Sequence, residues 1–131
     1  MNVDRRDFIV MSSATLLTGI GKTNLWKEKG TRMYGLIVKI AGVAGKRDAL
    51  IEILLENVSG MPGCLSYVIA KDSSDANAVW ITEVWDSEQS HRGSLSLPSV
   101  QAAMTRGKPL IAGFGSSNVT EPVGGQGLVF Q

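Results

Sequence analysis

Eight residues, AVWITEVW at positions 78–85, constrain this chain more than any other stretch. A strand turns successive side chains to opposite faces, so Val79, Ile81, Glu83 and Trp85 share one side and Trp80, Thr82 and Val84 the other. Both sides then carry large apolar groups. A β-layer of that character needs cover above and below, because a wide apolar face left in water is costly. Helices elsewhere in the chain can cover one side. A second copy packed sheet against sheet, a homodimer, is the simplest cover for the other.

The remaining elements follow from periodicity. YGLIVKIA predicts a strand over 34–41, rich in β-formers and bounded by glycine. In GKRDALIEILLENVSG, Leu50, Ile53, Leu54 and Val58 fall on one helical stripe while Glu52 and Glu56 turn to water, and Gly60 suits the position just past the helix end. MPG turns the chain, CLSYVIAKD alternates as a second strand, and SSDAN loops into the third. Asp86 and Ser87 offer caps for a short helix, with Gln89 spaced to complete a capping box from Asp86. Ser96 and Pro98 open a further helix through SVQAAMTR, which Gly107 and Pro109 stop. SSNVTEPVGG is the last strand candidate, and 124–131 form a glycine-rich tail. The order β-α-β-β-α-β is the split pattern of an α+β, ferredoxin-like domain, an antiparallel sheet with its helices on one face.

With 131 residues, 44% of them apolar, the chain has room for one compact domain. Residues 1–33 hold six Lys/Arg against three Asp/Glu, which leaves seven against nine in the remainder. No basic field survives in the part expected to fold, so nucleic-acid binding is set aside. A single cysteine, Cys64, and a single histidine, His91, exclude a disulfide framework and thiolate-clustered metal sites. We expect no metal. GIGKT at 19–23 lacks the upstream glycine of a phosphate-binding loop, since position 16 is Leu.

The segment DRRDFIVMSSATLLTGIG resembles a twin-arginine export signal. That resemblance implies a leader with linker over 1–33 and a periplasmic destination, with membrane attachment only where the leader stays uncleaved. Asp4 and Val10 depart from the pattern, and Met33 offers an alternative start that would leave the protein cytoplasmic.

Across 34–123 the residues MPGCLSYVIAKDSSDANAVWITEVWDSEQSHRGSLSLPSVQAAM resemble the antibiotic biosynthesis monooxygenase family, including its quinol monooxygenase-like members. The markers are Pro62-Gly63, Leu65, Tyr67, Asp72, Glu83, Trp85, Ser87 and Pro98 in that order. The resemblance implies a dimeric α+β barrel with a pocket in each subunit between the sheet and its own helices. It also implies oxidation of a quinol-like or hydroxylated aromatic molecule with dioxygen, using neither metal nor flavin. The competing expectation is a non-catalytic, small-ligand-binding or stress-associated barrel that keeps the pocket. Haem degradation fits poorly, because the first strand has no Asn and the late helix no His.

Such chemistry needs a dry cavity, a proton acceptor and donors for a developing oxyanion. Histidine is the side chain that ordinarily titrates near neutrality, which makes His91 the candidate base; the alternative is a helix-surface histidine in water. Trp85 is the candidate wall for stacking a flat substrate, or else core packing with its indole N–H on an acceptor. Glu83 needs a partner inside its apolar strand, and Arg92, Arg106 and Lys39 are the cations to consider. Tyr67 and Ser94 are candidate substrate donors, Ser94 standing where many relatives carry His. Leu95 and Met104 are candidate lining.

Overall fold

The computed structural model describes residues 32–56 and 58–128. Residues 1–31 of the leader and linker expected over 1–33 therefore lie outside the described residues. The order is β1 (Tyr34–Gly42), α1 (Arg47–Leu55), β2 (Cys64–Lys71), β3 (Ala78–Trp85), α2 (Glu88–Ser94), α3 (Pro98–Gly107), one 3-10 turn (Lys108–Leu110) and β4 (Ile111–Thr120). The strands form one antiparallel sheet in the order β2-β3-β1-β4. This is the α+β, ferredoxin-like arrangement expected from the element order.

Register places Tyr34, Leu36, Val38 and Ile40 of β1 opposite Trp85, Glu83, Ile81 and Val79 of β3. All eight side chains therefore share one face. Ile40, Leu50, Val79 and Ile81 form the buried core there, with Ile51, Leu54 and Ile69 packed around it. Fully burying one such aliphatic side chain stabilises the fold by about 1.5–3 kcal/mol. The other face presents Ile37, Trp80, Thr82 and Val84, none fully buried, beside an exposed Val68.

Local chemistry shifts three expected boundaries. Helix α1 stops at Leu55, short of Val58, because Glu56 closes a tighter turn with its N–H on the Ile53 carbonyl. Gly60 still adopts the left-handed conformation, φ 82°. Ser87, and not the Asp86–Gln89 pair, caps α2, its hydroxyl accepting the Ser90 N–H at 3.1 Å. Strand β4 starts at Ile111, directly after the 3-10 turn, and ends at Thr120, so Glu121 and Pro122 fall outside it. Between Val38 and Ile40 the β1–β4 register shifts: Val38 faces Ser117, whereas Ile40 faces Phe114. One additional residue of β4 is thus accommodated in a bulge.

The β2–β3 connection is held by Asp72. Its carboxylate accepts the Ser74 and Asp75 N–H groups at 2.8 Å each and the Trp80 indole N–H at 2.7 Å. Arg47 reaches across from α1 to the Asp75 carbonyl at 2.9 Å.

Candidate functional site

A cavity of about 890 Å³ lies on the helix side of the sheet. Leu36 and Ile40 of β1, Leu50 and Leu54 of α1, and Val100 and Met104 of α3 make its surface largely apolar. Helix α1 turns its apolar stripe to the sheet and buries Leu50 there, whereas α3 buries only Gly107 and leaves space over β1.

Polar side chains meet at one corner. Tyr67 and Glu83 are cross-strand partners on β2 and β3, and His91 enters from α2. The cap at Ser87 sets the start of α2, and Gly63 lets the helix approach. Gly63 sits at φ 82°, and a Cβ there would collide with the Ser90 side chain and the Asp86 carboxylate. With Asp86 N–H bonded to the Gly63 carbonyl at 2.9 Å, the strand end and the helix start are tied together.

The His91 ring is held between two aromatics. Tyr34 stacks on it with centroids 5.2 Å apart, and Trp85 meets it edge-on at 5.5 Å. The side chain is 15% exposed, and its Nε2 lies 3.7 Å from Glu83 Oε2. That same oxygen accepts the Trp85 indole N–H at 2.7 Å. Burial pushes the Glu83 carboxyl above its ordinary range, opposed by the Trp85 hydrogen bond and by the neighbouring imidazole. Burial, with the Glu83 charge adding to it, also drives the Tyr67 phenol well above the usual range. Tyr67 is accordingly a protonated donor at working pH. Cys64 is half-buried and raised for the same reasons, burial first and Glu83 second.

Of the residues singled out from sequence, Tyr67, Glu83, His91, Leu95 and Met104 line the cavity. Trp85 and Ser94 do not. Trp85 is only 1% exposed and stands behind Glu83 and His91, so it holds the carboxylate instead of offering a wall to a ligand. Ser94 is buried, and its hydroxyl donates to the His91 carbonyl at 2.6 Å within α2. The cations expected for Glu83 are engaged elsewhere: Arg92 with Glu88, Arg106 with Glu56, and Lys39 with Asp72. Glu83 is stabilised by an indole and an imidazole instead.

Sequence reasoning passed over Tyr34 and Phe114. The first was detectable, since Tyr34 alternates with Leu36, Val38 and Ile40 and belongs to their face. Phe114 lines the cavity from β4, on a side that depends on the bulge and that no alternation reveals. Among the described residues no group of three or more His, Cys, Asp or Glu could hold a metal ion.

The arrangement combines an apolar chamber with an imidazole backed by a carboxylate and a phenol donor beside them. It can take a proton from a bound hydroxyl and hold the resulting anion.

Comparison with known proteins agrees with this architecture. A family model described as antibiotic biosynthesis monooxygenase matches residues 33–106. A crystal structure from Chloroflexus aurantiacus J-10-fl, provisionally named an antibiotic biosynthesis monooxygenase, is 60% identical with a TM-score of 0.72 and covers 74% of this chain and 99% of its own. Two provisionally so-named structures share the fold at low identity. The one from Caulobacter crescentus CB15 is 17% identical, with TM-score 0.60 and 70% and 89% coverage. That from Nitrosomonas europaea is 15% identical, with TM-score 0.61 and 72% and 91% coverage. A search of curated proteins gave no match. With more than half of the chain matched by the family model and one solved relative aligned over nearly its full length, the chain belongs to the antibiotic biosynthesis monooxygenase family.

Proposed function

We propose that this protein is a cofactor-independent monooxygenase that oxidises a quinol-like or hydroxylated aromatic molecule with dioxygen. The observation that carries the reading is His91, lining an apolar cavity with Nε2 3.7 Å from the Glu83 carboxylate. His91 takes the proton of a ring hydroxyl, and Glu83 stabilises the imidazolium that forms. Tyr67 donates a hydrogen bond to the ring oxygen. The electron-rich ring then reduces dioxygen, one oxygen atom bonding to a ring carbon while the other leaves as water. A hydroquinone plus dioxygen thus becomes a hydroxyquinone plus water, and atoms and electrons balance. Trp85 serves as a positioning residue through Glu83.

Oxygen uptake by metal-free protein with reduced menadione tests this. We expect uptake above the spontaneous rate, a fall of about 10²-fold or more in His91→Ala, and a smaller fall in Trp85→Phe. Uptake no faster than the spontaneous rate, with ligand binding retained, would instead assign the protein to the non-catalytic, ligand-binding class.

The same proposal includes a homodimer through the open sheet face, where the exposed Val68 lies beside Ile37, Trp80 and Val84. A monomeric mass in solution overturns it. Export through the leader is proposed from the Arg5-Arg6 pair. The Arg5→Lys/Arg6→Lys variant should remain cytoplasmic, and normal export of that variant refutes the assignment. Among the described residues no helix is long and apolar enough to cross a membrane.

A further inference from the structure

We infer that the ligand is an amphiphile, a hydroxylated ring carrying a hydrocarbon chain. The ring sits at Glu83 and His91, and the chain leaves the protein between Met104 and Phe114. This rests on the quinol reading of the polar corner and adds a second, apolar half to the substrate.

The cavity's polarity is segregated. Tyr67, Glu83 and His91 cluster at one end. Gln101 and Thr105 also line the space, but both direct hydrogen bonds to nearby backbone: Gln101 Nε2 to the Leu95 carbonyl, just before α3, at 2.7 Å, and Thr105 Oγ1 to the Gln101 carbonyl at 3.0 Å. Lys108 is an exposed residue of the rim. Between corner and rim the lining is aliphatic.

Its extent exceeds a ring. Ligand pockets range over about 300–1,000 Å³, so 890 Å³ lies near the top of that range. Glu83 pairs with Leu36, and Phe114 pairs with Ile40. Four residues along β1 are about 13 Å and two strand spacings about 10 Å, which puts the polar corner and Phe114 about 16 Å apart on the sheet. A one- or two-ring quinol cannot reach across that distance.

The apolar path also opens outward. Met104 and Phe114 line the cavity and are 56% and 71% exposed. Large apolar side chains rimming a chamber in this way mark a place where apolar matter passes.

Binding of three ligands, followed by calorimetry, tests the inference: 2,3-dimethoxy-5-methylbenzoquinone, the same ring with a decyl chain, and decyl glucoside below its micellar concentration. The oxidised ring is used so that no turnover intervenes. The decylated ring should bind at least roughly tenfold more tightly than the bare ring, a gain that burial of only a few methylenes supplies. That ratio should shrink in the Met104→Ser/Phe114→Ser variant, or in either single variant should the double one fail to fold. Equal affinity for the two quinones overturns the chain and leaves the quinol reading standing. A ratio that survives both substitutions overturns the exit path. Tight binding of decyl glucoside with no binding of the bare ring upholds the chain and removes the ring, which defeats the quinol reading instead.

Discussion

Strand β3 carries a tryptophan bonded to a carboxylate on each face, and the two hydrogen bonds are the same length. Trp85 donates to Glu83 on the cavity side at 2.7 Å, and Trp80 donates to Asp72 on the open side at 2.7 Å. The carboxyls nevertheless titrate in opposite directions. Asp72 is held far below its usual range by the Trp80 N–H first and by the Ser74 and Asp75 amides next, with Lys39 3.6 Å away. Glu83 is raised, because burial outweighs one indole and one imidazole. A single hydrogen bond does not fix a carboxylate's charge; the number of donors set against the loss of water does. On the open face the anion is fully satisfied and locks a loop. On the cavity face it is left short of donors, which suits it to stabilise a positive charge that appears beside it.

The largest effect should separate the two indoles. Trp85→Phe removes the N–H from a buried carboxylate, and we expect a loss of about 2–3 kcal/mol in urea unfolding. Trp80→Phe should lose clearly less, because water and two amides remain for Asp72. Equal losses would break the comparison.

A smaller effect is the pH dependence, with opposite signs on the two faces. Because the Glu83 carboxyl is raised on folding, its stabilisation is present below its unfolded pKa and is lost as pH rises through the folded one. Wild type should therefore lose stability relative to Glu83→Gln as pH climbs from the ordinary carboxylate range. Asp72 is depressed, so its stabilisation is present above the unfolded pKa and is lost only as pH falls through the folded one. Wild type should exceed Asp72→Asn near neutrality, with the gap closing in acid. Thermal unfolding of both variants from acid to neutral pH measures each slope, and slopes of the same sign would contradict the assignment.

The smallest effect is local to α2. Ser87→Ala should cost about 1 kcal/mol and reduce oxygen uptake through His91, whereas Asp86→Ala should cost less if Ser87 alone caps the helix.

Much of the sheet is legible in the sequence because alternation survives wherever one face is buried. Val79, Ile81, Glu83 and Trp85 share the face predicted for them, with Leu50 buried against it. The start of β4 is not legible. Gly113 and Gly115 look like loop residues, yet a Cβ at 115 would press against the Lys39 side chain, so glycine there marks close strand approach. The site was half legible. Residue type alone nominated His91, Glu83 and Tyr67. What turns His91 inward, however, is contact with Tyr34 and the fit of Ser90 against Gly63, between segments far apart in the chain. Residue type leaves Trp85 open between a ligand wall and core packing and makes Ser94 a candidate donor; packing turns Trp85 to Glu83 and Ser94 to the His91 carbonyl.

The slip between β1 and β4 bears on how relatives of this protein can diverge. Because Ile40 meets Phe114 only after one residue has been absorbed near Gly115 and Ser116, an unbroken register of the same residues would instead pair Ile40 with Gly115 and turn the aromatic ring of Phe114 to the opposite side of the sheet. The threshold of the chamber would then lose its benzyl group while the polar corner kept every atom. Keeping or losing the bulge at this one point, with no change of composition elsewhere, is a route to altered ligand choice.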